Sequence, residues 1–122
     1  MQNLEQIRAA AALAVADKTT KADVSKLPAM IISNGLLAAT AFASEMTSHG
    51  DYKRKAMAEV LTGTARHLAN PVHGLTSLTG VATAEAMTKA LSEKASSAEL
   101  QRATTETLAF ISYVKRFARK ED

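Results

Sequence analysis

The chain has 122 residues, 47% of them hydrophobic, with 15 lysines and arginines against 12 acids for a formal net charge of +3, and it has no cysteine. That length predicts one domain over residues 1–122 with a core of its own, and the cysteine count excludes disulfides, thiolate metal sites and a thiol nucleophile, in keeping with a reducing, cytoplasmic setting. With three phenylalanines, two tyrosines and no tryptophan, the core has to be assembled from Ala, Leu, Val, Ile and Met.

Leu4, Ile7, Ala11, Ala14 and Val15 recur at helical spacing and predict a first helix over residues 3–17, with an alanine run that allows close approach. Residues 18–25 show no sustained period and read as a connector whose Lys18 and Lys21 are solvated. From Lys26 to Glu45 the apolar residues Leu27, Met30, Ile31, Ile32, Leu36, Leu37, Phe42 and Ala43 run almost all the way round a helix, the pattern of a helix enclosed by others. Pro28 belongs in its first turn, where a missing N–H is tolerated. Asn34 and Gly35 fall on the apolar side in mid-run and read as a satisfied core amide and as room for a crossing helix.

Ser48-His49-Gly50-Asp51 punctuates the chain, after which Ala56, Met57, Val60, Leu61, Thr64 and Leu68 form one face of a helix reaching Ala69. Asn70-Pro71 and His73-Gly74 close it, and residues 75–81 hold only a short or irregular turn. Ala86, Met87, Ala90 and Leu91 place a helix over residues 85–94, and Ser96-Ser97-Ala98-Glu99 has the form of a capping box launching the last helix. There Leu100, Ala103, Thr107, Phe110, Ile111, Val114 and Ala118 share one arc. No alternating strand pattern occurs, so the fold class is all-α: a compact bundle of five to six helices around a central buried helix, Leu27 to Met46. Polar interruptions of the longest apolar run, at Ser33, Asn34 and Thr40, argue against a membrane span, and no signal core opens the sequence.

His49, His67 and His73 show no helical zinc spacing, no acid stands near a histidine in a helical constellation, and no phosphate-cradling glycine motif is present. The expectation is therefore no catalytic residue, no metal and no cofactor. The charge is more informative: Tyr113 to Lys120 holds four cations, two aromatics and no acid, and Lys53-Arg54-Lys55 forms a second cluster. Two readings stay open for these cations, a solvated surface that complements a helix dipole, or sequence-blind phosphate contacts by Lys53, Arg54, Lys55, Arg66, Lys115, Arg116, Arg119 and Lys120. Lys26, heading the polar stripe of the apolar helix, either snorkels or reaches a partner. Tyr113 reads as a partly buried amphipathic residue before a base-stacking one.

Lys26-Leu27-Pro28-Ala29-Met30-Ile31, followed by Asn34-Gly35-Leu36 and Ala41-Phe42, resembles the small helical subunit of the type III-B CRISPR effector, the Cmr complex. Thr107-Leu108-Ala109-Phe110 with Val114-Lys115-Arg116-Phe117-Ala118 resembles the closing helix of the same subunit, while residues 70–95 carry none of the likeness. The resemblance implies a non-catalytic, RNA-binding subunit for antiviral defence, present in several copies. These would stack along guide RNA and target RNA beside the repeating backbone subunit and further copies of itself, with cleavage left to other subunits. A second expectation, from a different class, is a helical protein–protein adaptor with no direct RNA contact.

Overall fold

The computed structural model describes residues 2–120 and places seven α-helices there: α1 (Leu4–Ala16), α2 (Lys21–Ser25), α3 (Leu27–Asn34), α4 (Leu36–Ala43), α5 (Lys55–Leu68), α6 (Ala84–Glu93) and α7 (Ser97–Phe117), with 3-10 turns at Pro71–His73 and Thr76–Leu78. Among the described residues extended pairing is limited to isolated bridges, Thr20 with Arg119 and Met46 with Tyr52, so the fold is all-α. No helix among these residues is long and apolar enough to cross a membrane.

Local chemistry sets most boundaries. At the start of α1, Asn3 and Gln6 form a reciprocal capping box, each side-chain oxygen accepting the other's backbone N–H at 2.9 Å. The side chains of Thr20, Thr83 and Ser96 cap α2, α6 and α7 by accepting from the N–H groups of Asp23, Ala86 and Glu99. The Thr20 cap corrects the reading of residues 18–25 as a connector. It launches a five-residue helix, too short to show a period but long enough to bury Val24. Pro28 does sit in the first turn of its helix.

The segment read as one central helix is two. Gly35 takes φ 90°, ψ 159°, a conformation that L side chains rarely adopt; its N–H still closes α3 on the Ile31 carbonyl, and α4 starts one residue later. A Cβ at Gly35 would meet nothing within 4 Å, so the glycine supplies a backbone angle and leaves no room for a crossing helix because none is there. Asn34 is exposed. Only Leu27 and Ile31 of α3, and Leu36, Ala39, Thr40 and Ala43 of α4, are buried, while Ile32 is 73% exposed.

The most enclosed helix is α5, which contacts α1, α2, α4, α6 and α7. It buries Met57, Ala58, Val60, Leu61, Gly63, Thr64, Ala65, His67 and Leu68. Several of these add little to a hydrophobic pattern, and their small size is what lets neighbouring helices close on all sides. A Cβ on Gly63 would stand 2.2 Å from Cγ2 of Val15, which measures how near α1 comes. α1 also lies against α7, and between them Arg8 donates to Glu106 from Nε and Nη2 at 2.8 and 2.7 Å.

Candidate nucleic-acid interface and a buried histidine cluster

The last turn of α7 carries Lys115 and Arg116, where cations complement the negative end of the helix dipole. Its free carbonyls are not left to water. Lys21 Nζ donates to the carbonyls of Lys115 and Arg116 at 2.6 and 3.0 Å, and the Lys21 N–H donates to the Arg119 carbonyl at 2.9 Å. Lys21 is therefore a cap on α7, where the sequence suggested a solvated lysine. With the carbonyls occupied by Lys21, the side chains of Lys115, Arg116, Arg119 and Lys120 are all exposed, and none forms an ion pair with a described acid.

A second group of cations lies where the α2–α3 junction faces the start of α5. Lys26, Lys53, Arg54 and Lys55 line a surface depression of about 470 Å³ together with Asp23, Met30 and Phe42. Lys53 and Lys55 are exposed, and Lys26 is held 3.9 Å from Asp23. Arg54 differs: its guanidinium lies 3.5 Å over the Phe42 ring and donates to Glu45 Oε1 at 2.6 Å and to the Phe42 carbonyl at 3.0 Å. It ties the start of α5 to the end of α4. α2 joins the two basic groups, with Lys21 at its first position and Lys26 one residue past its last, a run of about 7 Å at helical rise.

Arg66 stands apart from both. It occupies the last turn of α5, about 16 Å along the axis from Lys55, and its Nε donates to the Ala82 carbonyl at 3.1 Å. Tyr113 sits in the α1–α7 seam, half-buried; its hydroxyl donates to Glu5 at 3.1 Å, with Arg8 5.9 Å from the ring centroid. It is the partly buried amphipathic residue that its sequence position suggested.

The structure also assembles a cluster that sequence spacing did not show. His67 in the last turn of α5, His73 in the following 3-10 turn and Glu106 on α7 bring together one potential ligand atom each within 4.8 Å of one another. His67 is 3% exposed, with its ring stacked on Phe110 at 4.8 Å and edge-on to His73 at 4.4 Å between centroids. Its Nε2 lies 2.8 Å from the Glu106 oxygen Oε2, which also accepts from Arg8.

Burial pushes His67 below the ordinary histidine value, against the Glu106 hydrogen bond that favours its charged form. Burial lowers His73 as well, with His67 beside it acting in the same sense. Burial pushes Glu106 up, but the hydrogen bonds from Arg8 and His67 outweigh that and hold the carboxyl below its usual range. The network thus contains an ionised Glu106, a charged Arg8 and two neutral imidazoles. In that state His67 donates Nε2–H to Glu106 and keeps a lone pair on Nδ1. Nδ1 of His67 and Nε2 of His73 are buried without any hydrogen-bond partner.

Neither histidine could have been paired from spacing. They are six positions apart across a helix end, and the acid that joins them comes from another helix. The only local hint was that His67 lies three residues after the Thr64 position of the apolar face of α5, which places it toward the core.

A family model described as CRISPR-associated protein (Cas_Cmr5) matches residues 2–121 of the chain. No curated protein matches it, and no solved structure does.

Proposed function

The chain belongs to this CRISPR-associated Cmr5 family, that of the type III-B small subunit, and on that premise we propose that it is a non-catalytic subunit whose basic edge follows the phosphate backbone of guide and target RNA. Association with other Cmr subunits follows from the family. The finer reading rests on one observation: four exposed, unpaired cations at the end of α7 are continued through Lys21 and Lys26 to Lys53 and Lys55. Such a line of ammonium and guanidinium groups recognises a polyanion without reading bases, which suits a complex in which base pairing carries the sequence information. Lys21, Arg54 and Arg66, each bonded to a protein group, add to the field instead of gripping a phosphate. Several copies stack along the RNA in the cytoplasm, each adding the same short basic edge.

Replacing Lys115, Arg116, Arg119 and Lys120 together by Ala tests the reading. Each lost contact to single-stranded RNA lowers the slope of log affinity against log salt by about 0.7, so four contacts lower it by about 3. An unchanged slope with unchanged affinity removes these four residues as phosphate contacts. Ultraviolet crosslinking inside the assembled complex separates this reading from the adaptor, which gives no adduct to RNA. Labelled RNA incubated with the purified chain and divalent metal is expected to remain intact.

A further inference from the structure

The histidine cluster stands apart from the basic edge, where the end of α5, the 3-10 turn at Pro71–His73 and α7 meet. We propose that His67, His73 and Glu106 bind one divalent transition-metal ion of the zinc class, each histidine supplying a ring nitrogen and Glu106 a carboxylate oxygen.

Three observations carry this. The donor set is two imidazoles and one carboxylate, which suits zinc and its neighbours and not the all-oxygen preference of magnesium or calcium. The three donor atoms lie within 4.8 Å of one another, whereas ligands at about 2.0–2.2 Å around a tetrahedral ion stand about 3.3–3.5 Å apart, so closure takes side-chain shifts of about an ångström. The buried Nε2 of His73 is the strongest sign, because it is an unpartnered ring nitrogen that no group among the described residues satisfies, while Nε2 of His67 already faces Glu106 at 2.8 Å and becomes a ligand by moving its proton to Nδ1. A buried polar atom without a partner is costly, and an ion binding two neutral imidazoles offsets that cost.

Arg8 fixes the carboxylate, and the ring stacked on Phe110 fixes His67. The Arg8 charge also opposes the ion, so the site binds more weakly than a closed four-ligand structural zinc site. Its effect is on the fold: an ion here ties the 3-10 turn at Pro71–His73 to α5 and α7.

The test uses the full chain without a histidine tag. Zinc is titrated against a chromophoric competitor, and cobalt(II) is titrated in parallel to read coordination from its visible bands. The expected result is one ion per chain, tetrahedral cobalt bands, and an affinity at least tenfold lower in His73→Ala. His49→Ala, changing an exposed loop histidine, leaves the affinity as it was. Far-UV circular dichroism checks that His73→Ala is folded; if it is not, the ring-nitrogen NMR shifts of His67 and His73 in the unaltered protein give the answer, by moving together on zinc addition. No stoichiometric binding, equal affinity in folded His73→Ala, or ring shifts that stay still would overturn the proposal.

Discussion

Gly63→Ala is the sharpest test of how the bundle is held, because a substitution that should help a helix should here harm the protein. In an ordinary helix interior the exchange gains about 1 kcal/mol. At this position the new methyl would lie 2.2 Å from Cγ2, 3.3 Å from Cβ and 3.4 Å from Cγ1 of Val15, against a normal carbon separation of about 3.5–4.0 Å. Val15 cannot swing away, since a valine in a helix is nearly confined to one rotamer and its Cβ is itself too close. α1 cannot simply lift either, being tied to α7 through Arg8 and Glu106. Overpacking of this kind costs about 1–3 kcal/mol. The clash lies at the upper end of that range, so the net expectation is a loss of about 1–2 kcal/mol.

Urea unfolding followed by far-UV circular dichroism reads that loss as a lower midpoint with an unchanged slope. The control is Val15→Ala, which opens a small void on α1. Adding Gly63→Ala to Val15→Ala should then raise stability, because the new methyl fills that void, giving a coupling of about 2 kcal/mol between the two sites. A Gly63→Ala protein more stable than the parent, or simple additivity in the double variant, would refute the close approach of α1 and α5.

Gly35→Ala should cost about 1–2 kcal/mol from backbone strain alone, since φ is 90° and open space surrounds the position; thermal unfolding reads it, and an unchanged midpoint would mean the α3–α4 break closes into one helix. Phe110→Ala, removing the largest fully buried side chain and the face on which His67 stacks, should cost about 3–5 kcal/mol in the same assay. In the presence of a chelator, stability should be flat above neutral pH and fall below the ordinary histidine value of 6.5, because with both folded pKa values lowered the unfolded chain binds more protons there. Glu106 adds to the acid loss further down, its contribution being present above the unfolded carboxyl pKa and lost as pH falls through the lower folded one. His73→Ala should make the fall shallower; an equal or steeper fall contradicts the assignment. The Glu99 carboxyl, held below its usual range first by the Ser77 hydroxyl and then by the Ser77 N–H, should titrate higher in Ser77→Ala by NMR.

Periodicity and caps made α1, α5, α6 and α7 legible to within about two residues, and the Ser96 cap appears where Ser96 and Glu99 placed it. Two features were not legible. Gly35 looked like a contact glycine because the flanking residues are apolar on every side, but the cost of leaving Ile32 exposed does not show in a hydrophobic pattern. The centre of the bundle lies on α5 for a related reason: Ala58, Gly63 and Ala65 are buried by being small, and a scale that counts methylenes passes over them. At the candidate interface, sequence found the cations but not their commitments, since the bonds of Lys21 to α7 and of Arg54 to Phe42 and Glu45 join distant parts of the chain.

The pairing of α1 with α7 sets a timetable for the nascent chain. Arg8 and Glu106 are 98 residues apart, and a ribosome adding about 5–20 residues per second leaves Arg8 without its carboxylate for about 5–20 s. Once α5 has been made, Val15 has Gly63 beside it but α1 still lacks α7, and His67 has neither its acid nor its stacking ring. Release of α7 is therefore the step that commits the chain, and a stalled chain lacking it presents an unfinished seam to chaperones.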